Sequence, residues 1–291
     1  MISRRSFLRL FGGALAAGAG LFSYAFAIEP RYRLVTTAYR FAPPGFPKRE
    51  RPLRIAALAD LHACDPWMPL SRIEEIVRVT NALKPDVIVL LGDYVSAIHR
   101  FGTKPVAIGD WAAVLAKLEA PLGTFAVLGN HDWWEDPEGV RHGLVRNGIP
   151  VLENEARQLK MPDGSAFWLA GLGDQLARGN PRKGYQGVDD LPKTMRAITD
   201  EAPVVLLAHE PDIFPEVPSR VSITLCGHTH GGQVRFPFIG APVVPSRFGQ
   251  RYAYGHIVEN GRHLVVSGGL GCTFLPVRFG SPPEIVLVEL G

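Results

Sequence analysis

The 291-residue chain has few cysteines and no excess of either charge, and both shortages exclude classes of protein. A disulfide framework requires a larger, even number of cysteines than the three present here, although one pair could form. Lys and Arg number 31 and Asp and Glu 28, and three of the arginines lie among the first ten residues. Without them, 28 basic residues face 28 acidic ones. We therefore predict no nucleic-acid binding, which requires a basic surface.

No acidic residue precedes Glu29, and the first 27 residues have the composition of an export signal. Arg4 and Arg5 stand before a stretch from residue 10 to 27 that is rich in Gly and Ala and uncharged. Paired arginines before a moderately apolar run are typical of a twin-arginine signal. Residues 25–27, Ala-Phe-Ala, resemble a cleavage site, but the run is also long enough for a membrane anchor. We predict export by the twin-arginine machinery, with the domain periplasmic or anchored and facing outward.

The remaining chain divides into a linker at residues 28–52 and a folded domain at 53–291. The linker is rich in Pro and basic residues, and 35–41 could add an edge strand. From residue 53, apolar runs at 53–59, 87–91 and 123–128 alternate with helical patterns, which indicates parallel strands in an α/β core. Five short strands and one clear helix, at 191–199, follow. The pattern predicts two packed sheets flanked by helices.

Polar residues follow five of the predicted strands at the point where each strand ends. They are Asp60, His62, Asp93, Asn130, His131, His209, His228 and His230. Because ligands gather at the carboxyl ends of strands in α/β sheets, we expect these side chains to converge. Each segment alone is weak evidence, since Gly-Asp is often a turn and His-x-His can be a surface pair. Together they predict a site for two divalent cations, and mixed nitrogen and oxygen donors suit Mn, Fe, Zn or Co.

The order Asp-x-His, Gly-Asp, Gly-Asn-His-Asp, His, Gly-His-x-His resembles the calcineurin-like metallophosphoesterase superfamily, over about residues 53–290. The resemblance implies an α/β fold of four layers, an α/β/β/α sandwich of two mixed sheets. It also implies how the residues divide between two metal ions. One ion is assigned Asp60, His62, Asp93 and His230, and the other Asp93, Asn130, His209 and His228, with Asp93 as the bridge.

The same resemblance implies a hydrolytic mechanism. A water between the two cations is expected to lose a proton near neutral pH and attack phosphorus. His131 is not a ligand in the family, and we expect it to stabilise the transition state or protonate the leaving oxygen. Asp132 is expected to orient the His131 imidazole by a hydrogen bond.

Departures from the family pattern indicate a branch. Gly92-Asp93 lacks the Asp-Arg-Gly extension of phosphoprotein phosphatases, and Ser96 stands where purple acid phosphatases have a metal-binding Tyr. The segments 226–233 and 268–284 resemble a bacterial exported or membrane-associated phosphodiesterase branch that includes UDP-2,3-diacylglucosamine pyrophosphatase-like enzymes of lipid A synthesis. We expect a phosphodiesterase acting on a small-molecule or lipid-linked phosphate ester or pyrophosphate. The alternatives are an exported phosphomonoesterase and a non-catalytic scaffold.

Two smaller features have open interpretations. The apolar, proline-rich segment 236–245 either contacts an acyl chain or a membrane, or packs on the core. One or two of the arginines around it, Arg235, Arg247, Arg251 and Arg278, could bind a phosphate. Cys64 and Cys226 lie near candidate ligands, and we interpret them as packing residues rather than extra ligands.

Overall fold

Two β-sheets form the middle of the molecule. A computed structural model describes residues 3–46, 51–96, 98, 100–161, 163–180, 182 and 184–291. The strands in these ranges are β1 (Val35–Phe41), β2 (Leu53–Leu58), β3 (Cys64–Asp65), β4 (Val87–Leu90), β5 (Lys104–Pro105), β6 (Thr124–Ala126), β7 (Glu155–Lys160), β8 (Ala166–Gly171), β9 (Arg178–Asn180), β10 (Gly184–Gln186), β11 (Val204–Leu207), β12 (Ile223–Cys226), β13 (Gly255–Glu259), β14 (Arg262–Val266) and β15 (Glu284–Leu290).

Helices cover the outer faces of the sheets and form the N-terminus. They are α1 (Arg4–Ser23), α2 (Glu29–Tyr32), α3 (Leu70–Ala82), α4 (Ile108–Leu115), α5 (Asn130–Glu135), α6 (Pro137–Arg146) and α7 (Leu191–Arg196). Short 3₁₀ turns span Pro211–Glu216, His230–Gly232 and Gly249–Tyr252.

The first sheet has the strand order β1-β15-β2-β4-β6. Strands β2, β4 and β6 are parallel, as the alternation of apolar runs and helices predicts, and their residues are almost entirely buried. Strand β15 pairs antiparallel with β2, and β1 pairs parallel with β15 at the edge. The predicted edge strand at 35–41 is confirmed, so part of the segment interpreted as a linker belongs to the sheet. Residues 47–50 of that segment lie outside the described ranges.

The second sheet has the order β13-β14-β12-β11-β8-β7. Its four inner strands are parallel, and each edge strand pairs antiparallel with its neighbour. A tight hairpin joins β13 and β14, and Asn260 and Gly261 at its tip have φ of 51° and 75°. Positive φ at both positions is what a tight hairpin turn requires.

Three apolar clusters show that the molecule has four layers. The middle cluster joins Ile55 and Val89 of the first sheet to Leu169 and Val205 of the second, so the two sheets pack face to face. A second cluster lies between the first sheet and the helices α3, α4 and α6. A third packs α7 and the turn Pro211–Glu216 on the second sheet. The predicted α/β/β/α sandwich is therefore confirmed.

The N-terminal helical segment stands apart from these layers. Helix α1 buries none of its residues, and Arg4–Tyr32 is long and apolar enough to cross a membrane, by length and composition. A π-helical turn, Tyr24–Ile28, joins α1 to α2. This π-helical turn contacts the domain through a backbone hydrogen bond, in which the Arg278 amide N–H donates to the Ala25 carbonyl at 3.0 Å.

Candidate metal centre

The candidate ligands lie where the two sheets meet at the carboxyl ends of their parallel strands. Asp60 and His62 follow β2, and Asp93 follows β4. Asn130 begins α5 shortly after β6, His209 follows β11, and the two histidines of Gly-His-Thr-His follow β12. Six of these seven side chains form two groups of three, and the ligand atoms within each group lie within 4.8 Å of one another. The seventh, Asn130, is in hydrogen-bond contact with His228.

One group surrounds the space between His62 and His230. Their Nε2 atoms are 3.2 Å apart, and His230 Nε2 is 3.6 Å from Asp60 Oδ1. Oδ2 of Asp93 lies 3.6 Å from His62 Nε2. All four side chains are buried. This is the set that the family resemblance assigns to one cation.

The other group surrounds the opposite side of Asp93. His209 Nε2 is 3.2 Å from the same Asp93 Oδ2, and His228 Nδ1 is 2.9 Å from Asn130 Oδ1. The carboxylate of Asp93 therefore stands between two donor sets. This is the geometry that a bridging ligand requires.

The imidazole tautomers fit a cation at each set. Nδ1 of His62 lies 2.9 Å from the Val95 carbonyl, and Nδ1 of His209 lies 2.6 Å from the Leu91 carbonyl. A carbonyl only accepts, so each Nδ1 carries the hydrogen and each Nε2 presents a lone pair to the centre. Among the described residues, His209 Nε2 has no hydrogen-bond donor, although it is buried. Lone pairs and carboxylate oxygens that face each other without a donor suit a metal ion.

Burial determines the charge of the site when no cation is bound. It lowers the pKa of His62 and of His228 to about 4, so both imidazoles are neutral at neutral pH, the form that binds metal. Burial also raises the pKa of Asp60 to about 7, and the charge of Asp93 adds to the rise. Burial opposes protonation of His209, but Asp93 raises its pKa well above the ordinary value. A metal ion would therefore replace a proton between His209 and Asp93.

Five of the seven candidate ligands have a left-handed backbone. The φ angles are 55° at Asp60, 45° at His62, 59° at Asp93, 68° at His228 and 53° at His230. A non-glycine residue in this region costs about 1 kcal/mol or more, and such residues concentrate at functional sites. The turns that follow β2, β4 and β12 thus hold these side chains in conformations that an unconstrained loop would avoid.

Glycine precedes Asp93 for a steric reason. Gly92 has φ of 95°, and a Cβ there would lie 2.6 Å from the Gly129 nitrogen and 2.8 Å from His209 Nδ1. Any side chain would push apart the two loops that carry Asp93 and Asn130. The Gly-Asp pair is therefore a requirement of close packing between neighbouring strand ends.

Comparisons with known proteins agree with this arrangement. Residues 53–232 match the family model described as calcineurin-like phosphoesterase. The chain is 34% identical to the metallophosphoesterase YkuE of Bacillus subtilis over 99% of this chain and 98% of that protein. The chain belongs to the calcineurin-like phosphoesterase family. It is also 33% identical to the phosphodiesterase YaeI of Escherichia coli over 100% of both chains. A transmembrane protein with a metallophosphoesterase domain from Danio rerio is 31% identical over 82% of this chain and 53% of that protein.

Family membership confirms the resemblance found in the sequence and makes the chain a metal-dependent phosphoester hydrolase. The family model ends at residue 232, shortly after His230, so all seven candidate ligands fall inside it. The narrower resemblance to UDP-2,3-diacylglucosamine pyrophosphatase-like enzymes remains a prediction.

Asp132 joins two loops at the metal centre, and its predicted hydrogen bond to the His131 imidazole stays a prediction. Its Oδ2 accepts from the N–H groups of Asp93 and Gly129, both at 2.9 Å. Its Oδ1 accepts from Tyr94 at 2.9 Å and from Val95 at 3.2 Å. These four N–H donors favour the ionised carboxylate, whereas burial and the charge of Asp93 raise the pKa of Asp132 to about 7. Asp132 thus ties the Asp93 loop to the start of α5 through four backbone hydrogen bonds.

His131 lies beside the ligand groups, facing the cleft. Its N–H donates to Asp93 Oδ1 at 2.9 Å, which fixes the backbone next to the candidate bridge. Its Nε2 is 3.4 Å from Thr273 Oγ1, and its ring packs edge-on against Trp134 with centroids 4.8 Å apart. That His131 acts on the substrate rather than on a cation stays a prediction.

A cleft of about 500 Å³ opens over the candidate ligands. Several residues in its walls were not predicted from the sequence. They include Tyr185, Glu210, Asp212, Thr273 and Phe274. The rings of Trp134 and Tyr185 stack at 5.3 Å. Only Glu210 had a signal in the sequence, since it directly follows His209.

The suspected arginines and cysteines have mostly structural roles. Arg278 is fully buried and donates to the carbonyls of Gly268, Gly271 and Ser281, while its Nη2 lies 3.3 Å from His230 Nδ1. Arg247 forms ion pairs with Asp212 and Glu216, and Arg251 forms one with Glu259. The three cysteines are buried free thiols, as expected of packing residues.

Proposed function

We propose that this protein is a phosphodiesterase that uses two divalent cations. The observation that carries the proposal is the position of Asp93 Oδ2, at 3.6 Å from His62 Nε2 and 3.2 Å from His209 Nε2. One carboxylate oxygen between two sets of donors is suited to two cations and one phosphate group. The whole-length similarity to a protein named phosphodiesterase supports the same activity.

Different residues of the site have different roles in the proposed reaction. Bound cations would supply positive charge for the phosphoryl oxygens and lower the pKa of an attacking water. Asp93 holds the two donor sets at a fixed separation, and Asp132 fixes the backbone that carries Asp93. His131 stands at the cleft side, where it can give a proton to the departing oxygen.

The charges in the cleft favour a diester over a monoester. Glu210 and Asp212 line the cleft, and Arg247, which also lines it, forms ion pairs with Asp212 and Glu216. A phosphate monoester has a second titratable oxygen and is close to dianionic at neutral pH, whereas a diester has one negative charge. Carboxylates in the wall repel the extra charge of the monoester.

Paired assays of two soluble esters test the proposal. After reconstitution with Mn, we expect kcat/KM for bis-p-nitrophenyl phosphate to exceed that for p-nitrophenyl phosphate by roughly tenfold or more, about 1.4 kcal/mol of discrimination. The opposite ratio would establish the phosphomonoesterase. Hydrolysis of neither ester, nor of any member of a phospholipid and nucleotide-sugar panel, would establish the non-catalytic scaffold.

We further propose that the substrate is a lipid-linked or cell-envelope phosphate ester. Leu176, Pro245 and Phe274 line the cleft, and Phe274 exposes 68% of its surface. A pyrophosphate of the UDP-2,3-diacylglucosamine type is the second candidate. The panel separates them, because a diacylated nucleotide sugar and a phospholipid differ in the phosphate bond that is broken.

We propose that the twin-arginine route exports the folded protein and that the N-terminal helix stays as an anchor. The Ala25 carbonyl accepts from Arg278, and Glu29, 2% exposed, accepts from the Ser281 N–H at 3.0 Å. The candidate cleavage site at residues 25–27 is thus held in a helical turn against the domain. A signal peptidase, by contrast, needs an accessible extended segment. Mass spectrometry of the exported protein should find residues 1–27 still attached. Replacement of Arg4 and Arg5 by lysines should leave the protein in the cytoplasm.

A further inference from the structure

Six exposed apolar side chains lie on two loops near the cleft, and we call them the apolar rim. They are Phe236, Phe238, Ile239, Val243, Phe274 and Leu275. Phe238 is fully exposed, and Val243 and Ile239 expose 75% and 71% of their surface. Phe238 and Phe274 also have left-handed backbones, with φ of 66° and 58°. Bulky side chains that are both strained and exposed at loop tips indicate a surface with a function.

The apolar rim begins at the end of the N-terminal helix. The ring of Tyr24 meets Phe279 edge-on at 6.5 Å, and Phe279 lies 5.6 Å from Phe236 of the rim. Tyr24 also lines one cavity together with Phe236, Phe238 and Ile239. The rim therefore lies at the level where a membrane-crossing α1 would leave the bilayer.

Aromatic and basic side chains surround this end of the helix. Tyr24 accepts from Arg33 at 3.2 Å, and the Trp67 indole N–H donates to the Phe26 carbonyl at 3.2 Å. Tyr32, 67% exposed, lies on the next turn. Tyr and Trp are enriched at membrane–water interfaces, and arginine can reach lipid phosphates there. Their position marks the same level of the molecule as the rim.

A side cavity connects the apolar rim to the candidate metal centre. It measures about 280 Å³, and Val234, Val243, Phe274 and Leu275 contribute to its walls. His230 lines both this cavity and the cleft. Its volume is below that of a pocket for a whole ligand, which is about 300–1,000 Å³, and suits part of an acyl chain.

We propose that the apolar rim enters the outer leaflet of the membrane beside the N-terminal helix, and that the side cavity holds an acyl chain of a lipid phosphate ester during hydrolysis. The insertion of the rim is independent of the reaction. The use of the side cavity rests on the proposed phosphodiesterase function. Continuity between rim and helix is the reason to choose a bilayer as the occupant, since the helix fixes the rim at a bilayer surface.

Site-specific labelling of the full chain in proteoliposomes tests the insertion. The three native thiols are buried, so a polarity-sensitive fluorophore can be attached selectively to Phe238→Cys. Val145→Cys is the matched control, because Val145 is 54% exposed on α6, away from the rim. A side chain that enters the acyl boundary by about 5–10 Å should show iodide quenching reduced by roughly fivefold or more, with a blue-shifted emission.

Equal quenching of the two labelled positions in proteoliposomes would overturn the insertion of the rim. Protection of position 238 that requires added cell extract, and is absent with pure lipid, would identify a protein occupant and would also overturn it. Protection by pure lipid at position 238 alone supports the proposal.

Activity on lipid and on a soluble ester tests the use of the side cavity. The double variant Phe238→Asp/Ile239→Asp should lose roughly tenfold or more of its turnover of phospholipid vesicles, because charges are costly in the apolar boundary. Its kcat for bis-p-nitrophenyl phosphate should stay unchanged, and Val145→Asp should retain both activities. Val234→Phe, which narrows the side cavity, should raise KM for a long-chain lipid and leave KM for a short-chain analogue unaltered.

These readouts separate the two proposals. A wild-type protein that hydrolyses no ester would refute the phosphodiesterase, while the fluorophore would still report insertion. Vesicle turnover by the rim variant equal to that of Val145→Asp would refute the path through the rim. Equal effects of Val234→Phe on long and short chains would refute the acyl site.

Discussion

Replacing Asp132 with asparagine should weaken the fold and the metal centre together, rather than slowing catalysis alone. The carboxylate accepts four backbone N–H groups, from Asp93, Tyr94, Val95 and Gly129. Asparagine keeps one oxygen and turns an NH₂ group toward two of these donors. Two buried donors are then left unsatisfied, at about 1–3 kcal/mol each, or roughly 2–6 kcal/mol together. This is a large share of the 5–15 kcal/mol that is typical of a folded domain.

Thermal unfolding, chelator competition and kcat should be measured on the same samples. We expect a lower Tm and weaker metal binding, because Asp93 loses the contact that fixes its backbone. Asp136→Asn is the matched control, since Asp136 accepts from the Gly139 N–H at 2.9 Å at the start of α6 and asparagine caps a helix equally well. An Asp132→Asn variant that kept wild-type stability and metal content and lost only turnover would contradict the structural role of Asp132 between the Asp93 loop and α5. That result would instead indicate that Asp132 acts on the imidazole of His131.

Three further predictions concern the same site. His131→Ala should retain its metal content and lose about 10²–10⁴ in kcat, and wild-type turnover in that variant would remove His131 from the mechanism. Chelation should abolish hydrolysis and lower Tm, because a bound metal stabilises the folded state, with recovery on adding Mn; a Tm indifferent to chelator would contradict tight binding. Gly92→Ala should destabilise the chain well beyond Gly148→Ala, since both glycines have positive φ but only Gly92 has neighbours within 4 Å; similar unfolding of the two variants would disprove the steric argument.

The layers and the candidate ligands could be predicted because both depend on local pattern. Strands buried on both faces appear as continuous apolar runs, and the residue after such a run stands at the sheet edge where ligands collect. The runs that end before Asp60, Asp93 and His209 therefore indicated both the sheets and the site. The sequence contains no comparable pattern that indicates which distant segments pair as neighbouring strands. Strand β1 pairs with residues 284–290, nearly 250 positions away.

The pattern of apolar and polar residues in the sequence does not predict side-chain direction or contacts between loops. The sequence Gly-Asn-His-Asp does not show where the last carboxylate points, because that depends on α5 beginning at Asn130 and on the neighbouring Asp93 loop. The cleft residues Tyr185, Thr273 and Phe274 come from segments without periodicity, where only the folded chain brings them to the site.

The position of β15 has a consequence for biosynthesis. Strand β15 lies between β1 and β2, so these two early strands gain their shared neighbour only after residues 284–290 have been synthesised. The first sheet therefore cannot be completed before residues 284–290 have left the ribosome. Secretion that threads the chain outward during translation would separate these partners, whereas transport after synthesis keeps them together. A truncation before residue 284 would remove an inner strand of this sheet, and such a product should be degraded rather than exported.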